Sequence, residues 1–486
     1  MQSPEPTDDE RRVIAQLEVG YESYLADIKA AIAQPSVSRN GQGMVEMAVW
    51  VENYIRSLGA EARQVPGVDW PLVEGHLHAG DGKPTLLFYD LYDVMPASSQ
   101  PGWETPPFEP TVVDAPDGRT RLVGRGAFNS KGPLVGMLAT IRAFQDACIE
   151  LPVNIRFMIE GEEEVGSRTL PHYLRENRKM LSRCAGALMP FLGSNIHGQH
   201  ILRLGFKGVT MLEFRATAGA WGGPTRGEIH GYWKAVVANP ALELVGALNT
   251  LVSRDGRIAV EGFDTLVPPP TVDDHMFMDD VAERLNIEAW LEELGVDRLQ
   301  HNEPVRQLVE RLLFDCTFNL DGIESGPLAE GEVPPTQIPR SARAFGHLRV
   351  VPGVDVQKAL DLFRRHLDRY GYGHIEMVTH YSYKASKCSH RDPIALAMIE
   401  AYQRHGGDKV LIYPMHAGAA PLFLFSEILG IPWISGGLGH GGGAHAPNEY
   451  FNVEDGLLFM KSMASFLFAF ARNERENKST PFDETV

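Results

Sequence analysis

Cysteine is scarce in this chain. Four residues, Cys148, Cys184, Cys316 and Cys388, are spread over 486 positions, and no two form a Cys-x-x-Cys pair. That spacing excludes a zinc ribbon and a dithiol redox motif, and it predicts four buried free thiols in a reducing compartment. A cationic excess is absent as well: 45 Lys and Arg stand against 63 Asp and Glu, a net charge of -18. Nucleic acid is thereby excluded as a partner, because phosphate binding needs a clustered positive surface. No run is apolar for long enough to span a bilayer, and the opening "MQSPEPTDDERR" has no apolar signal-peptide core. The expectation is a cytoplasmic protein with no membrane partner. Two further gaps concern chemistry. There is no histidine between His78 and His172, and no aspartate between Asp146 and Asp255. No nucleophile elbow and no phosphate-loop spacing occurs.

What is present is ordinary globular composition, 44% hydrophobic and 22% charged, in a chain long enough for two domains. Helical spacing runs through "ERRVIAQLEVGYESYLADIKAAIAQ" up to Pro35. The strand-like "TLLFYDLYDV", the helical "GPLVGMLATIRAFQDA" and the strand-like "VNIRFMIEG" and "CAGALMPFLG" then alternate. Such alternation predicts an α/β domain with a largely parallel central sheet flanked by helices. Near residue 204 the texture changes. "GVTMLEFRATA" alternates like a half-exposed antiparallel strand. "NPALELVGALNTLVSRDGRIAVEGF" reads as helix, turn and strand. "ARAFGHLRVVP" and "DVQKALDLFRRHLDRYGYGHIEMVTHYS" complete a split β-α-β pattern of α+β type. After Lys387 the α/β texture returns, with "APLFLFSEILG" read as a helix and "EDGLLFMKSMASFLFAFARN" as the closing one. The expected domains are therefore 1–204 and 387–486 for the first, with 205–386 inserted as the second.

In parallel sheets ligands gather beyond the strand C-termini. Asp93 follows one apolar strand there, and "EGEEEVGS" follows another. Adjacent carboxylates at a strand end can divide their work, one holding a metal and one acting as general base on a nearby water; a bare acidic run is otherwise a solvated loop. "GGLGHGGGAHAPNEY" places His440 and His445 in a glycine-rich loop before the last helix, either as metal ligands or as incidental residues of a connector. "GRGAFNSKGP" leads into a helix and could by itself form an anion-binding turn.

Taken in order, "DVMPASSQPGWETPPFEP", "GRGAFNSKG", "EGEEEVGS" and "GAHAPNEY" resemble the di-zinc metallopeptidase family of carnosinases, aminoacylases and succinyl-diaminopimelate desuccinylases, over nearly the whole chain. The resemblance implies a catalytic domain with an inserted lid that also dimerises, and hydrolysis of an amide bond in a small carboxylate-bearing substrate by two bridged metals. It assigns the general base to Glu163, one metal's private ligands to Glu164 and His445, and the orienting carboxylate to Asp93. It places the lid histidine at His230, a carboxylate-binding arginine at Arg349 and a further lid position at Asn239. At "PMHAGAAP" the family's arginine and serine are Met415 and Ala419 here.

The resemblance fails at the other metal. Its histidine position is Leu91, its private aspartate falls at Phe191 (or Pro190), and the bridging aspartate is Asn129. Leucine and phenylalanine cannot coordinate a cation and would desolvate it. A two-metal centre is not expected. At most one zinc or manganese ion is, held by Glu164 and His445 with Asn129 as a weak third ligand; Asp90 and His440 are the substitutes near in sequence. The readings are a one-metal hydrolase using Glu163, a metal-free enzyme in which Glu163 transfers protons in an isomerisation, elimination or cyclisation, and a non-catalytic small-molecule-binding homologue. A homodimer through the lid is implied in each.

Overall fold

The computed structural model describes residues 4–97, 101–326 and 335–479. The family-like segment after Asp93 is therefore described except for residues 98–100. The chain divides into two compact units. Of the described residues, the first unit holds those up to Leu204, then Cys388–Tyr413, then those from Leu424; the second holds those within Gly205–Lys387 and Pro414–Phe423.

The first unit is built on an eight-stranded sheet. Its centre is parallel: Thr85–Leu91 lies between Asn154–Glu160 and Gly186–Pro190, and Trp433–Gly436 follows beside Gly186–Pro190. Glu61–Val65 and Leu72–Leu77 extend it antiparallel at one edge. The strand Thr85–Leu91 is buried along nearly its whole length, which explains its continuous apolar run. The helix Asp8–Ala33 is capped by the Thr7 side chain, which accepts the Glu10 N–H, and it stops just before Pro35. It packs with Lys131–Asp146 and the closing helix Val453–Ser479.

A smaller antiparallel sheet orders Gly441–Gly442, Tyr450–Asn452, Thr120–Val123 and Thr111–Asp114. Its pairing of Tyr450–Asn452 with Thr120–Val123 brings the glycine-rich loop beside "GRGAFNSKG".

The second unit is a four-stranded antiparallel sheet, in the order Thr317–Ser325, Ser341–Val350, Gly208–Thr217, Glu376–Tyr383. The helix Pro240–Leu251 covers it, and the helix Val356–Arg369 contributes Phe363 and Leu367 to the same core.

Several expectations need correction. "RIAVEGF" forms no strand, only an isolated bridge from Ile258 to Val252. The second strand of the split pattern is Thr317–Ser325, whose exposed outer residues give it little apolar alternation. "APLFLFSEILG" yields a π-helical turn at Phe425–Leu429 and no long helix. The inserted unit is not one continuous segment, because Pro414–Phe423 joins it. The cause is main-chain pairing: the His416 N–H donates to the Gly205 carbonyl at 2.6 Å and the His416 carbonyl accepts from Lys207 at 3.1 Å. Of the four thiols, Cys148 is exposed and the other three are buried.

Candidate functional site

Two neighbouring parallel strands deliver the site. Thr85–Leu91 ends in Leu91, which is 1% exposed, and runs on to Asp93, which is fully buried. Asn154–Glu160 runs on to a short 3-10 turn, Glu163–Val165, closed by Gly166 at φ 101°. Asp93 fastens the two ends together. Its Oδ1 accepts the Glu163 N–H at 3.2 Å and its Oδ2 accepts the Glu164 N–H at 3.0 Å. The expected task of Asp93, orienting a ligand imidazole, has no object, because residue 91 is leucine. Its two oxygens hold the backbone of the Glu163–Glu164 turn.

The third contributor is the loop after Thr120–Val123. Glu449, also fully buried, accepts N–H groups from Gly126 at 3.1 Å, Phe128 at 3.0 Å and Asn129 at 2.7 Å, and pairs with Arg125 Nη1 at 2.8 Å. This clamp fixes the backbone at Asn129, whose peptide bond to Ser130 is cis. From the glycine-rich loop comes His445, in the left-handed region at φ 63°. A β-carbon in that conformation costs on the order of 1–2 kcal/mol, a strain found most often where function requires it.

Three side chains then meet at one point. Asn129 Nδ2 lies 2.8 Å from Glu164 Oε1 and 3.1 Å from His445 Nε2, and His445 Nε2 lies 3.0 Å from Glu164 Oε1. Glu164 is nearly buried, with 6% of its side chain exposed, whereas 53% of the His445 side chain faces solvent, so the point is open on the histidine side. The hydrogen bond to Glu164 holds the His445 pKa above its ordinary value.

Glu163 differs from its neighbours. Among the described residues its carboxylate makes no hydrogen bond and no ion pair. Desolvation, followed by the negative fields of Glu164, Asp93, Glu160 and Asp90, raises its pKa well above the usual carboxylate range. Asp93 is pushed up to about 7, chiefly by burial and then by Glu164. Glu160, bonded by Tyr89 and Ser167, is pushed up to about 8, again chiefly by burial.

A two-metal centre does not fit these residues. Among the described residues, no three His, Cys, Asp or Glu side chains converge to hold a cation. Leu91 is core, and the Phe191 ring packs 4.8 Å from Phe128. Neither sequence-near substitute fills the gap. His440 uses Nδ1 on the Ser194 carbonyl at 2.8 Å and Nε2 on the Tyr450 hydroxyl at 3.0 Å. Asp90 Oδ1 accepts from Ser130 Oγ at 2.7 Å, while its Oδ2 is buried without a partner, and burial raises its pKa far above the normal value. For one ion the anionic or imidazole donors are Glu164 and His445, and the Asn129 corner presents an N–H, one ligand short of the usual three.

The remaining expected residues lie in the second unit. His230 is exposed and its Nδ1 accepts the Tyr232 N–H at 3.2 Å. Asn239 caps the helix Pro240–Leu251, its Oδ1 accepting the Ala241 N–H at 2.9 Å. Arg349 is half-buried and donates through Nη1 to the Ala417 carbonyl at 3.1 Å. Sequence reasoning missed Glu449 and Arg125, whose pairing spans 324 positions and leaves no local pattern.

Comparison with known proteins identifies the family and the fold. A family model described as Peptidase family M20/M25/M40 matches residues 88–469. The chain is 29% identical to the Cys-Gly metallodipeptidase dug1 of Schizosaccharomyces pombe over 365 residues, 72% of this chain and 73% of that protein. The M20 family metallo-carboxypeptidase Sso-CP2 from Sulfolobus solfataricus superposes with a TM-score of 0.83 at 30% identity, covering 92% of this chain and 99% of that one. Human carnosine dipeptidase 1 shares the fold, with a TM-score of 0.78 at 23% identity over 95% of this chain and all of that one.

Proposed function

This chain belongs to peptidase family M20/M25/M40, and on that premise we propose that it hydrolyses a peptide-like C–N bond in a small, carboxylate-bearing substrate of dipeptide type, with at most one metal ion and with Glu163 as general base. The observation that carries the reading is the state of Glu163. Among the described residues it is an unbonded carboxylate, its pKa raised well above the ordinary range by burial and then by neighbouring carboxylates, one residue from Glu164 in the Asn129–Glu164–His445 triangle. A carboxylate with a raised pKa is a stronger proton acceptor than an ordinary one.

Glu163 accepts a proton from water as the water attacks the scissile carbonyl carbon, and returns it to the leaving nitrogen. Asp93 keeps the Glu163 backbone in place through the turn. Glu164 and His445 are the residues that would hold a zinc or manganese ion, which when bound supplies Lewis acidity to the carbonyl and the water. In the second unit, Arg349 has no ion-pair partner among the described residues, and a free guanidinium edge suits a substrate carboxylate. The family resemblance gives His230 and Asn239 to the same substrate and gives the second unit the homodimer contact, which size-exclusion chromatography tests.

A second reading rests on Asn129. Its amide N–H points at the corner where a cation needs a lone pair, which favours metal-free proton transfer by Glu163. One experiment separates the two. Untagged protein is loaded with zinc or manganese, freed of excess and assayed for bound metal by mass spectrometry, then for hydrolysis of a dipeptide panel. About one ion per chain, lost in Glu164→Ala and His445→Ala, with hydrolysis lost in Glu163→Gln, is expected. Metal-free protein that still turns over a substrate through Glu163 establishes the second reading, and loss of neither metal nor turnover in these variants removes both.

A further inference from the structure

Away from the carboxylate cluster, the antiparallel edge of the large sheet holds a guanidinium group, that of Arg156, without an ion pair among the described residues. Glu61 faces His76 across one strand pair and His76 faces Arg156 across the next, so the three side chains form one cross-strand row. Arg63 faces Glu74 in the adjoining row. Opposed residues of an antiparallel pair stand about 5 Å apart at Cβ. These rows line a cavity of about 430 Å³ closed on its other side by Tyr173, Asn177 and Met180. None of the lining residues belongs to the carboxylate cluster.

The lining holds two guanidinium groups, Arg63 and Arg156, and two carboxylates, Glu61 and Glu74, but they are not all paired. Glu74 is already engaged by Arg63 and by the Tyr173 hydroxyl. Among the described residues Arg156 makes no hydrogen bond and no ion pair, although it is half-buried, and the His76 ring nitrogens accept and donate nothing. Glu61, exposed at the edge, is the one acidic lining residue left. The segment that carries Tyr173, Asn177 and Met180 also carries Arg175, Arg178, Lys179 and Arg183 against the single acid Glu176. None of these four cations forms an ion pair among the described residues. These four exposed cations share the segment that lines the cleft through Tyr173, Asn177 and Met180, while Arg156 is the unpaired cation in the lining itself. A guanidinium drawn partly out of water is stabilised by an anion that restores its hydrogen bonds.

We infer that this cleft is an accessory anion site, in which Arg156 and His76 receive a small carboxylate or phosphate and the basic segment Arg175–Arg183 draws it in. Planar guanidinium binds either anion through two parallel N–H donors.

Isothermal calorimetry on the full chain tests this, using inorganic phosphate and, separately, acetate at matched ionic strength. A saturable isotherm of one site per chain is expected for at least one of them. Arg156→Gln is expected to weaken it at least tenfold. Saturation by phosphate and not acetate identifies phosphoryl ligands; saturation by both identifies carboxylates as well. If neither anion saturates, or if a folded Arg156→Gln binds as tightly as the parent, the inference is wrong. Should Arg156→Gln not fold, the exposed pair Arg175→Gln and Lys179→Gln replaces it, and undiminished binding there overturns the inference equally.

Discussion

Asn129 stands where the family resemblance places a bridging aspartate, and its amide supplies N–H donors to a carboxylate and an imidazole that would otherwise face each other across a missing charge. Asn129→Asp returns the charge and removes the donor. Without divalent metal the variant is expected to melt a few degrees lower, since a further carboxylate joins Glu163, Glu164 and Asp93; with zinc it is expected to bind about tenfold or more tightly than the parent. Differential scanning fluorimetry with and without zinc measures both. Glu160 offers a second test. Its folded pKa, about 8, lies above the unfolded value near 4.5, so burial favours its neutral form. Its contribution to stability is full below about pH 4.5 and is lost as pH rises towards about 8. Relative to Glu160→Gln, the parent should therefore lose stability steadily between about pH 5 and 8. Comparing the two removes the opposing titration of buried histidines such as His405, whose pKa burial lowers to about 4. A constant difference across that range would show that Glu160 is not the titrating group.

Elements carry the site in two ways, and they were unequally legible. The strands Thr85–Leu91 and Asn154–Glu160 were readable because fully buried parallel strands must be apolar throughout, and the rule that ligands sit beyond their C-termini located Asp93 and Glu163. The strand Thr317–Ser325 was unreadable: as an exposed edge strand it needs little apolar alternation, and main-chain hydrogen bonds to Ser341–Val350 define it. The loop from Gly126 to Asn129 owes its shape to Glu449, a partner too distant in sequence to infer. Removing that anchor takes away the ion pair that Glu449 makes with the buried Arg125. Glu449→Ala is expected to cost about 3–5 kcal/mol, read from urea denaturation, and to release Asn129 from Glu164. An unchanged midpoint would mean that the loop is held by other contacts.

At the scale of the whole molecule, two cores are built by a chain that leaves the first unit at Leu204, returns at Cys388 and crosses again for Pro414–Phe423. Two cores of this kind need not unfold together. Calorimetry is expected to resolve more than one component, with a calorimetric enthalpy above the van't Hoff value; equality of the two would show that both units melt as one. The apolar lining at Leu91 and Phe191 bears on how such a protein can change. Histidine at 91 alone would sit in the core without a metal to bind. Aspartate at 191 alone would set a bare charge against the Phe128 ring. Each step costs folding energy before the last one completes a second metal's ligand set, so the road to a two-metal centre on this scaffold has no passable halfway point.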